Sequence, residues 1–389
     1  MLSLIPVREY LLVVATSALV TYLVTGVVRV VARRLGAVTA IRDRDVHQLP
    51  TPRMGGVAVF IGVAAAFAVA YQLPELRQAF GNNTEIVGVL VAGAVICFVG
   101  VLDDRFDLDS LTKLAGQILA AGVLVFFGVQ WTQIWLPIGG SSDGGGFGTA
   151  VSLDQTQGLL VTVLITVVLT NAMNFIDGLD GLLAGVALIS TVGMFVFSIH
   201  QYGDSLNPEA TQSPLIAAAL FGACLGFLPH NFYPARIFMG DSGSMFIGLA
   251  MSAAVISTSG KLDYSTFGPR STIALLAPLI VMLAVVFIPM LDFLMAVVRR
   301  TRKGKHPFTA DKQHLHHRML NIGHTHRQAV LVFYLWAAVL GGSAVSLAFM
   351  TWQWALVPTV IGLLVASTAS VWPRIRARRL SERRAGVTA

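Results

Sequence analysis

The chain has 389 residues, of which 55% are hydrophobic and only 12% charged, with a mean hydropathy of +0.73. Soluble domains carry about 25% charged residues, so a string of soluble domains is excluded. The formal net charge of +7 suits membrane insertion and attraction to anionic headgroups. A nucleic-acid groove is excluded, because no aromatic residues interleave with the Lys and Arg as a stacking platform requires.

Taken in chain order, apolar runs long enough to cross a bilayer fall at 10–30, 55–72, 85–102, 112–129, 157–173, 182–199, 213–229, 244–258, 272–298, 328–348 and 354–371. The run at 244–258 is short and that at 272–298 long, so their edges are the least defined. The first run exceeds a signal-peptide core and has no small-residue cleavage site before Arg33-Arg34, so it is expected to stay in the chain. Eleven spans make the loops alternate, and one set (31–54, 103–111, 174–181, 230–243, 299–327 and the tail from 372), with its span-edge residues, holds 23 of the 27 Lys and Arg. Only Arg8, Arg77, Lys261 and Arg270 lie opposite. The positive-inside rule puts the basic set in the cytoplasm and the N-terminus outside.

The expected fold is an all-α polytopic membrane protein of about eleven transmembrane helices. Residues 1–371 form one catalytic domain, and 372–389 form a basic cytoplasmic tail expected to be disordered against the membrane. The Gly-rich outer run at 139–148 is expected to be a flexible loop; it lacks the Lys-Ser/Thr of a phosphate loop. Cys97 and Cys224 lie in apolar runs without a CxxC and are expected to pack as small hydrophobes.

Three acidic clusters end apolar runs, all on the basic side. Charge at a membrane edge is costly, which points to a function. In Asp103-Asp104-Arg105-Phe106-Asp107-Leu108, a continuing helix would put Asp103 and Asp107 on one face, where they repel until a cation, a proton or solvent relieves them. Lys113 follows, able to hold an anion nearby. In Asn171-Ala172-Met173-Asn174-Phe175-Ile176-Asp177-Gly178-Leu179-Asp180-Gly181, four polar residues advance by three and would drift slowly around one helical face. Helix capping explains one or two of them, not four.

Gly240-Asp241-Ser242-Gly243-Ser244 superficially suggests a serine nucleophile, but the chain offers no partner base for it. Asp241 is better suited as a hard oxygen ligand at a helix start, with Ser242 and Ser244 as caps. Eight of the nine histidines fall on the same side (His47, His230, His306, His314, His316, His317, His324 and His326). The run His314-Leu315-His316-His317-Arg318 has no cysteine near it, and the surrounding carboxylates and amides suit Mg²⁺ or Mn²⁺ rather than zinc. Beside such a metal, grouped His and Arg bind phosphate. Pro50-Thr51-Pro52-Arg53-Met54-Gly55-Gly56 is either a plain loop-to-helix junction or a source of backbone amides and a guanidinium for an anion. Carboxylates for a metal and cations for phosphates at a membrane surface fit phosphoryl transfer to or from a lipid.

These motifs, with Asn231 to Ser244, resemble in kind and order those of the polyprenyl-phosphate N-acetylhexosamine-1-phosphate transferases of the glycosyltransferase 4 superfamily. The resemblance implies a helical bundle in the bacterial cytoplasmic membrane with its active site facing the cytoplasm. It further implies transfer of a sugar 1-phosphate from a UDP-sugar to a polyprenyl phosphate, with Mg²⁺ (or Mn²⁺) and release of UMP. His314-Leu315-His316-His317-Arg318 and Pro-Thr-Pro-Arg are similar to the WecA/TagO branch. That branch uses UDP-GlcNAc with undecaprenyl or decaprenyl phosphate in the first lipid-linked step of cell-envelope polysaccharide synthesis.

On this resemblance Asp241 and Asn174 hold the metal, with Asp177 at its shell. Asp180 approaches the uracil or ribose, and Asp103 and Asp104 orient or deprotonate the lipid phosphate. Arg53, Lys113, His314, His316, His317 and Arg318 hold substrate phosphates. A lipid phosphate is already mostly dianionic at neutral pH, because its second ionisation lies near pH 6, so positioning outweighs proton abstraction. An in-line displacement is expected; a two-step route through an aspartyl phosphate stays open, and a homodimer is compatible with the sequence. The alternative within the superfamily is transfer of phospho-MurNAc-pentapeptide, whose enzymes carry three consecutive histidines followed by Phe-Glu. The alternative from another class, a transporter, would place its ionisable groups near the midplane, often in repeated halves; here the acids gather at one surface and no repeat is found. A structural anchor would leave the clustered Asp and His without a role.

Overall fold

The computed structural model describes residues 5–38, 50–81, 84–140, 147–205, 211–259 and 323–385, together with five isolated positions between 298 and 319. Ten α-helices are seen there, and each coincides with an apolar run read from the sequence. They are α1 (Val7–Arg34), α2 (Gly55–Ala70), α3 (Glu85–Phe106), α4 (Ser110–Phe126) and α5 (Gln155–Ile176), then α6 (Leu182–Ser205), α7 (Gln212–Asn231), α8 (Gly240–Ser259), α9 (His326–Phe349) and α10 (Trp352–Ala385). The run at 272–298 lies, except for its last residue, outside the described residues. Among the described residues seven helices are long and apolar enough to cross a membrane, while α2 and α4 are apolar but shorter. The chain is a mostly helical, multi-pass membrane protein.

Local chemistry sets several helix starts. Asp154 and Gln157 form a capping box at α5, and Thr325 and Gln328 form another at α9. At α4 the Asp109 carboxylate accepts from the amides of Leu111 and Thr112.

Two expectations need correction. The fold is not all-α: β1 (Gln133–Gly140) and β2 (Phe147–Ser152) pair antiparallel, so both ends of the Gly-rich run extend a hairpin instead of lying in a loop. The tail is not structureless either, since α10 continues unbroken to Ala385. A helix already nucleated in its apolar part adds each further residue at low cost.

The short run expected at 244–258 proves to be the centre of the bundle. Helix α8 is buried along nearly its whole length and packs against α2, α3, α5 and α7. Its apolar residues go all the way round, as a helix surrounded by protein requires.

From α1 to α8, helices consecutive in the chain alternate in direction, which brings the segments read as cytoplasmic to one end. There Arg53 N donates to Ala37 O (2.9 Å), Gly55 N to Phe238 O (3.0 Å) and Gly56 N to Met239 O (3.0 Å), and His324 Nε2 donates to Ser370 O (3.0 Å). At the other end the Glu9 carboxylate accepts from the amides of Glu75 (3.1 Å) and Leu76 (2.9 Å), and Thr84 Oγ1 donates to Phe127 O (2.9 Å). Cys97 and Cys224 are free and buried.

Close helix approach depends on small residues. Along the α1–α7 seam Ser17 Oγ donates to Ala219 O (2.6 Å), and a Cβ at Gly226 would overlap the Ala18 backbone. Gly26 of α1, by contrast, has open space around its Cα. Gly226→Ala should therefore destabilise by about 1–3 kcal/mol through overpacking. Gly26→Ala should be neutral or stabilise by up to about 1 kcal/mol. Thermal unfolding in detergent distinguishes the two, and equal effects would contradict this packing.

Candidate active site

The site is built around the start of α8. The first amides of any helix lack partners within it, and here the acceptor comes from another helix. Asp104, in the last turn of α3, takes the Asp241 amide on Oδ1 (2.9 Å) and the Ser242 amide on Oδ2 (3.2 Å), and Ser242 Oγ also donates to Oδ2 (2.8 Å). Only 6% of Asp104 is exposed. Ser242 and Ser244 are thus not the caps expected from the sequence. Ser242 is a donor to the cap, and Ser244 Oγ accepts from Asn174 Nδ2 (2.9 Å).

Lys113 of α4 reaches under this terminus. Its Nζ lies 2.6 Å from Asp103 Oδ2 and 2.9 Å from Asp241 Oδ2. The carboxylates of Asp103 and Asp241 therefore share one ammonium group. Asp103 Oδ1 accepts from Leu108 N (2.8 Å). In this state Lys113 is a counter-ion between two carboxylates, where the sequence suggested an anion holder. Asn171 stands one helical turn away from this cluster, donating to Gln117 Oε1 (2.7 Å).

Asp103 and Asp107 do not repel each other along one face. Helix α3 ends at Phe106, and Asp107 turns into the left-handed region (φ 49°). Its side chain points outward, 78% exposed, with Arg53 Nη1 at 3.7 Å. Arg53 therefore stands at the rim of the site. The amides of Gly55 and Gly56, expected to be available to an anion, are used on the carbonyls of Phe238 and Met239.

The second acidic cluster is divided in the same way. Asn171 and Asn174 are on α5, but the helix ends at Ile176 and Asp177 is its C-terminal cap. Asp177 and Asp180 sit on a turn and share no helical face with the two Asn residues; Gly181 (φ +76°) closes the turn. Burial, then the nearby charges of Asp241 and Asp104, push the Asp177 carboxyl up to about 8.

Asp180 faces the other side of the turn, with Oδ2 accepting from Ala235 N (2.9 Å), while its own amide donates to His326 Nε2 (3.2 Å). Three further ties fix the turn. Gly181 N donates to Asn231 Oδ1 (3.1 Å), Asn231 Nδ2 donates to Ile237 O (3.0 Å), and the Tyr334 hydroxyl donates to Gly181 O (2.5 Å). The His326 ring stacks on Tyr233 with centroids 4.5 Å apart.

Of the sequence-derived candidates, Asp103, Asp104, Asp177, Asp180, Asp241, Asn174 and Lys113 meet at one end of the bundle. His314, His316, His317 and Arg318 lie outside the described residues. Sequence reasoning missed Ser242 as a partner of Asp104, Asn231 as a brace, and the parts of His326 and Tyr334. His326 stood out only as one histidine among eight on the basic side, and Tyr334 gave no signal inside an apolar run.

A bundle whose helix ends bring carboxylates, amides and an ammonium group together at one surface defines a polytopic membrane protein with a polar site at one end. Residues 86–259, from the start of α3 to the end of α8, match the model of glycosyl transferase family 4. The chain is 48% identical over 373 residues to the decaprenyl-phosphate N-acetylglucosaminephosphotransferase of Mycobacterium tuberculosis, covering 96% of this chain and 91% of that protein. The protein of the same name in Mycolicibacterium smegmatis is 49% identical, with 96% and 90% covered. The undecaprenyl-phosphate alpha-N-acetylglucosaminyl 1-phosphate transferase of Escherichia coli K12 is 29% identical, with 86% and 84% covered. The chain belongs to glycosyl transferase family 4, in the group of polyprenyl-phosphate N-acetylglucosamine-phosphate transferases.

The raised Asp177 carboxyl has a consequence for stability. The folded state keeps its proton up to about pH 8, whereas the unfolded chain releases it near 3.8. The folded state thus binds more protons in between, and stability falls as pH rises through that window. Metal-free protein in EDTA should lose thermal stability between about pH 5 and 8, and Asp177→Asn should flatten that slope. Equal slopes in the two proteins would contradict a charge-crowded Asp177.

Proposed function

We propose that this chain transfers GlcNAc-1-phosphate from UDP-GlcNAc to a polyprenyl phosphate, releasing UMP and forming polyprenyl-diphosphate-GlcNAc. The observation that carries this is the convergence of the Asp103-Asp104, Asn174–Asp180 and Asp241 segments around one helix terminus, in a chain about half identical to enzymes so named. The relatives near 48% identity are named for a decaprenyl acceptor, so decaprenyl phosphate is the favoured substrate. The same names disfavour phospho-MurNAc-pentapeptide as the transferred group. A transporter is disfavoured because the acids gather at one end of the bundle.

The donor set supports Mg²⁺ or Mn²⁺. Among the described residues no three His, Cys, Asp or Glu already form a cage. Mg²⁺ does not need one, since it keeps several waters and uses one or two carboxylates plus substrate phosphates. The sign of the field also fits: among the described residues Asp103 and Asp241 flank the ammonium of Lys113, and burial with the nearby charges of Asp241 and Asp104 pushes Asp177 up to about 8. Asp241 and Asn174 would hold the ion with Asp177 beside it. Bound there, a divalent cation would neutralise the diphosphate as charge moves onto the leaving UMP.

The remaining chemistry is positioning. An oxygen of the lipid phosphate attacks the sugar-linked phosphorus, the new P–O bond forms opposite the breaking bond to UMP, and UMP departs with the bonding pair. Lys113 and Arg53 lie where they could meet phosphate oxygens, together with His314, His316, His317 and Arg318. Asp180, braced by Ala235 and His326, lies to the nucleoside side of Asp177. The basic end of the bundle faces the cytoplasm of a bacterial inner membrane, where the product begins a cell-envelope polysaccharide.

Purified protein should release UMP from UDP-GlcNAc with decaprenyl phosphate and Mg²⁺, and none from UDP-MurNAc-pentapeptide. EDTA should abolish release, and Mn²⁺ should restore it. Asp241→Asn should cost about 100-fold or more in turnover. Absence of release from correctly folded protein would refute the assignment. Orientation is tested separately with cysteine at two exposed positions, Asp107→Cys and Asp154→Cys, since Cys97 and Cys224 are buried. In intact cells an impermeant maleimide should label position 154 and spare 107; the reverse pattern would invert the topology.

A further inference from the structure

We propose that Asp104 is a positioning residue that fixes the place of the Asp241 carboxylate by capping α8 from outside that helix, and that it touches neither substrate phosphate nor metal. The inference rests on the transferase reading above. It separates the roles of two adjacent aspartates that sequence treats as equivalent.

The geometry divides them. Asp103 turns to the charged cluster, against Lys113 and Asp241. Asp104 turns to the helix terminus, and its two oxygens receive three donors from Asp241 and Ser242. A carboxylate held by two backbone amides and a hydroxyl makes strong charge-assisted bonds and lies where the helix dipole favours negative charge. It has little reason to release those donors for a lipid headgroup.

The space around it is fitted for this role alone. A Cβ at Gly240 (φ +71°) would meet both carboxylate oxygens of Asp104 at 2.5 Å. A Cβ at Gly100 of α3 would overlap the Ser242 backbone, and one at Gly56 of α2 would overlap Gly243. The first turn of α8 is thus pressed from two sides by α2 and α3, and Asp104, one turn beyond Gly100 on the same face of α3, ties it on the α3 side. Asp241 belongs to that turn, so its carboxylate moves with the turn. A shift of about 1 Å in a catalytic constellation can cost about 100-fold in rate.

The amides of Asp241 and Ser242 have no partner inside α8, so their hydrogen exchange reports directly on Asp104. The test uses the full-length protein in detergent, with Ser242→Ala, Asp104→Asn, Asp104→Ala and Gly100→Ala. Three quantities are read: exchange in the peptide holding Asp241 and Ser242, the Mg²⁺ concentration for half-maximal turnover, and the pH profile.

Ser242→Ala, which removes one donor of three, should speed exchange several-fold and raise the Mg²⁺ midpoint three- to tenfold. Asp104→Asn keeps one acceptor oxygen and should fall between Ser242→Ala and Asp104→Ala, with the shape of the pH profile unchanged. Asp104→Ala and Gly100→Ala should each lose 100-fold or more; should either fail to accumulate, Ser242→Ala and Asp104→Asn carry the test.

Two results would overturn the proposal. In one, Asp104→Asn loses the acidic limb of the profile while exchange and the Mg²⁺ midpoint stay as in wild type, making Asp104 a group that acts on substrate. In the other, exchange quickens while the Mg²⁺ midpoint of the folded fraction does not move, making the cap structural only. If wild-type protein released no UMP, the transferase reading would fail, while unchanged exchange in Ser242→Ala and Asp104→Asn would still reject the cap.

Discussion

A buried helix terminus in a membrane protein has amide hydrogens that water cannot reach, and leaving them unpaired costs more than a hydrogen bond gains. At α8 that need is met by Asp104 from the end of α3. The same bonds therefore do two things. They let a helix begin deep inside protein, and they join the first acidic segment of the chain to the third across more than 130 residues. Lys113 adds the ionic counterpart, joining Asp103 to Asp241 from a further helix. The remaining parts of the site are arranged around this junction.

Close backbone approach makes the junction possible. Gly100 and Gly56 bring α3 and α2 against the first turn of α8, and Gly248 further along lets α5 approach at Thr170. Without the hydrophobic drive available in water, helix association in a bilayer relies on such contact and on hydrogen bonds between helices. The rigidity that holds α8 at the centre of the bundle is thus the rigidity that locates Asp241. On the side away from Asp241, Asn231, Tyr334 and His326 brace the turn carrying Asp177 and Asp180 from α7 and α9. Asp177 is left buried beside the charges of Asp241 and Asp104.

Much of this was legible from residue patterns. Apolar runs located the ten described α-helices, because a span needs about 20 apolar residues and little else resembles one. Asp103, Asp104, Asp177, Asp180 and Asp241 stood out because acids are rare in such a chain. The three misplaced acids share one cause. Asp107, Asp177 and Asp180 were placed on helical faces by extending a period past the point where the backbone leaves the helix, at Phe106 and at Ile176. Ser242 was read as a cap because caps are usually local, whereas the acceptor at α8 comes from α3. The strand pair Gln133–Gly140 and Phe147–Ser152 was hidden by a Gly-rich run that reads as a loop.

The sequence by itself determined the membrane class, the helical segments, the side bearing the basic residues and the family, because hydrophobicity, charge bias and motif order are properties of local residue strings. Only the tertiary structure decided which donor each carboxylate meets. Asp103 and Asp104 are neighbours in sequence, yet one faces an ammonium and the other a helix terminus. Successive residues on a helix point about 100° apart, and what lies in each direction depends on elements far away along the chain.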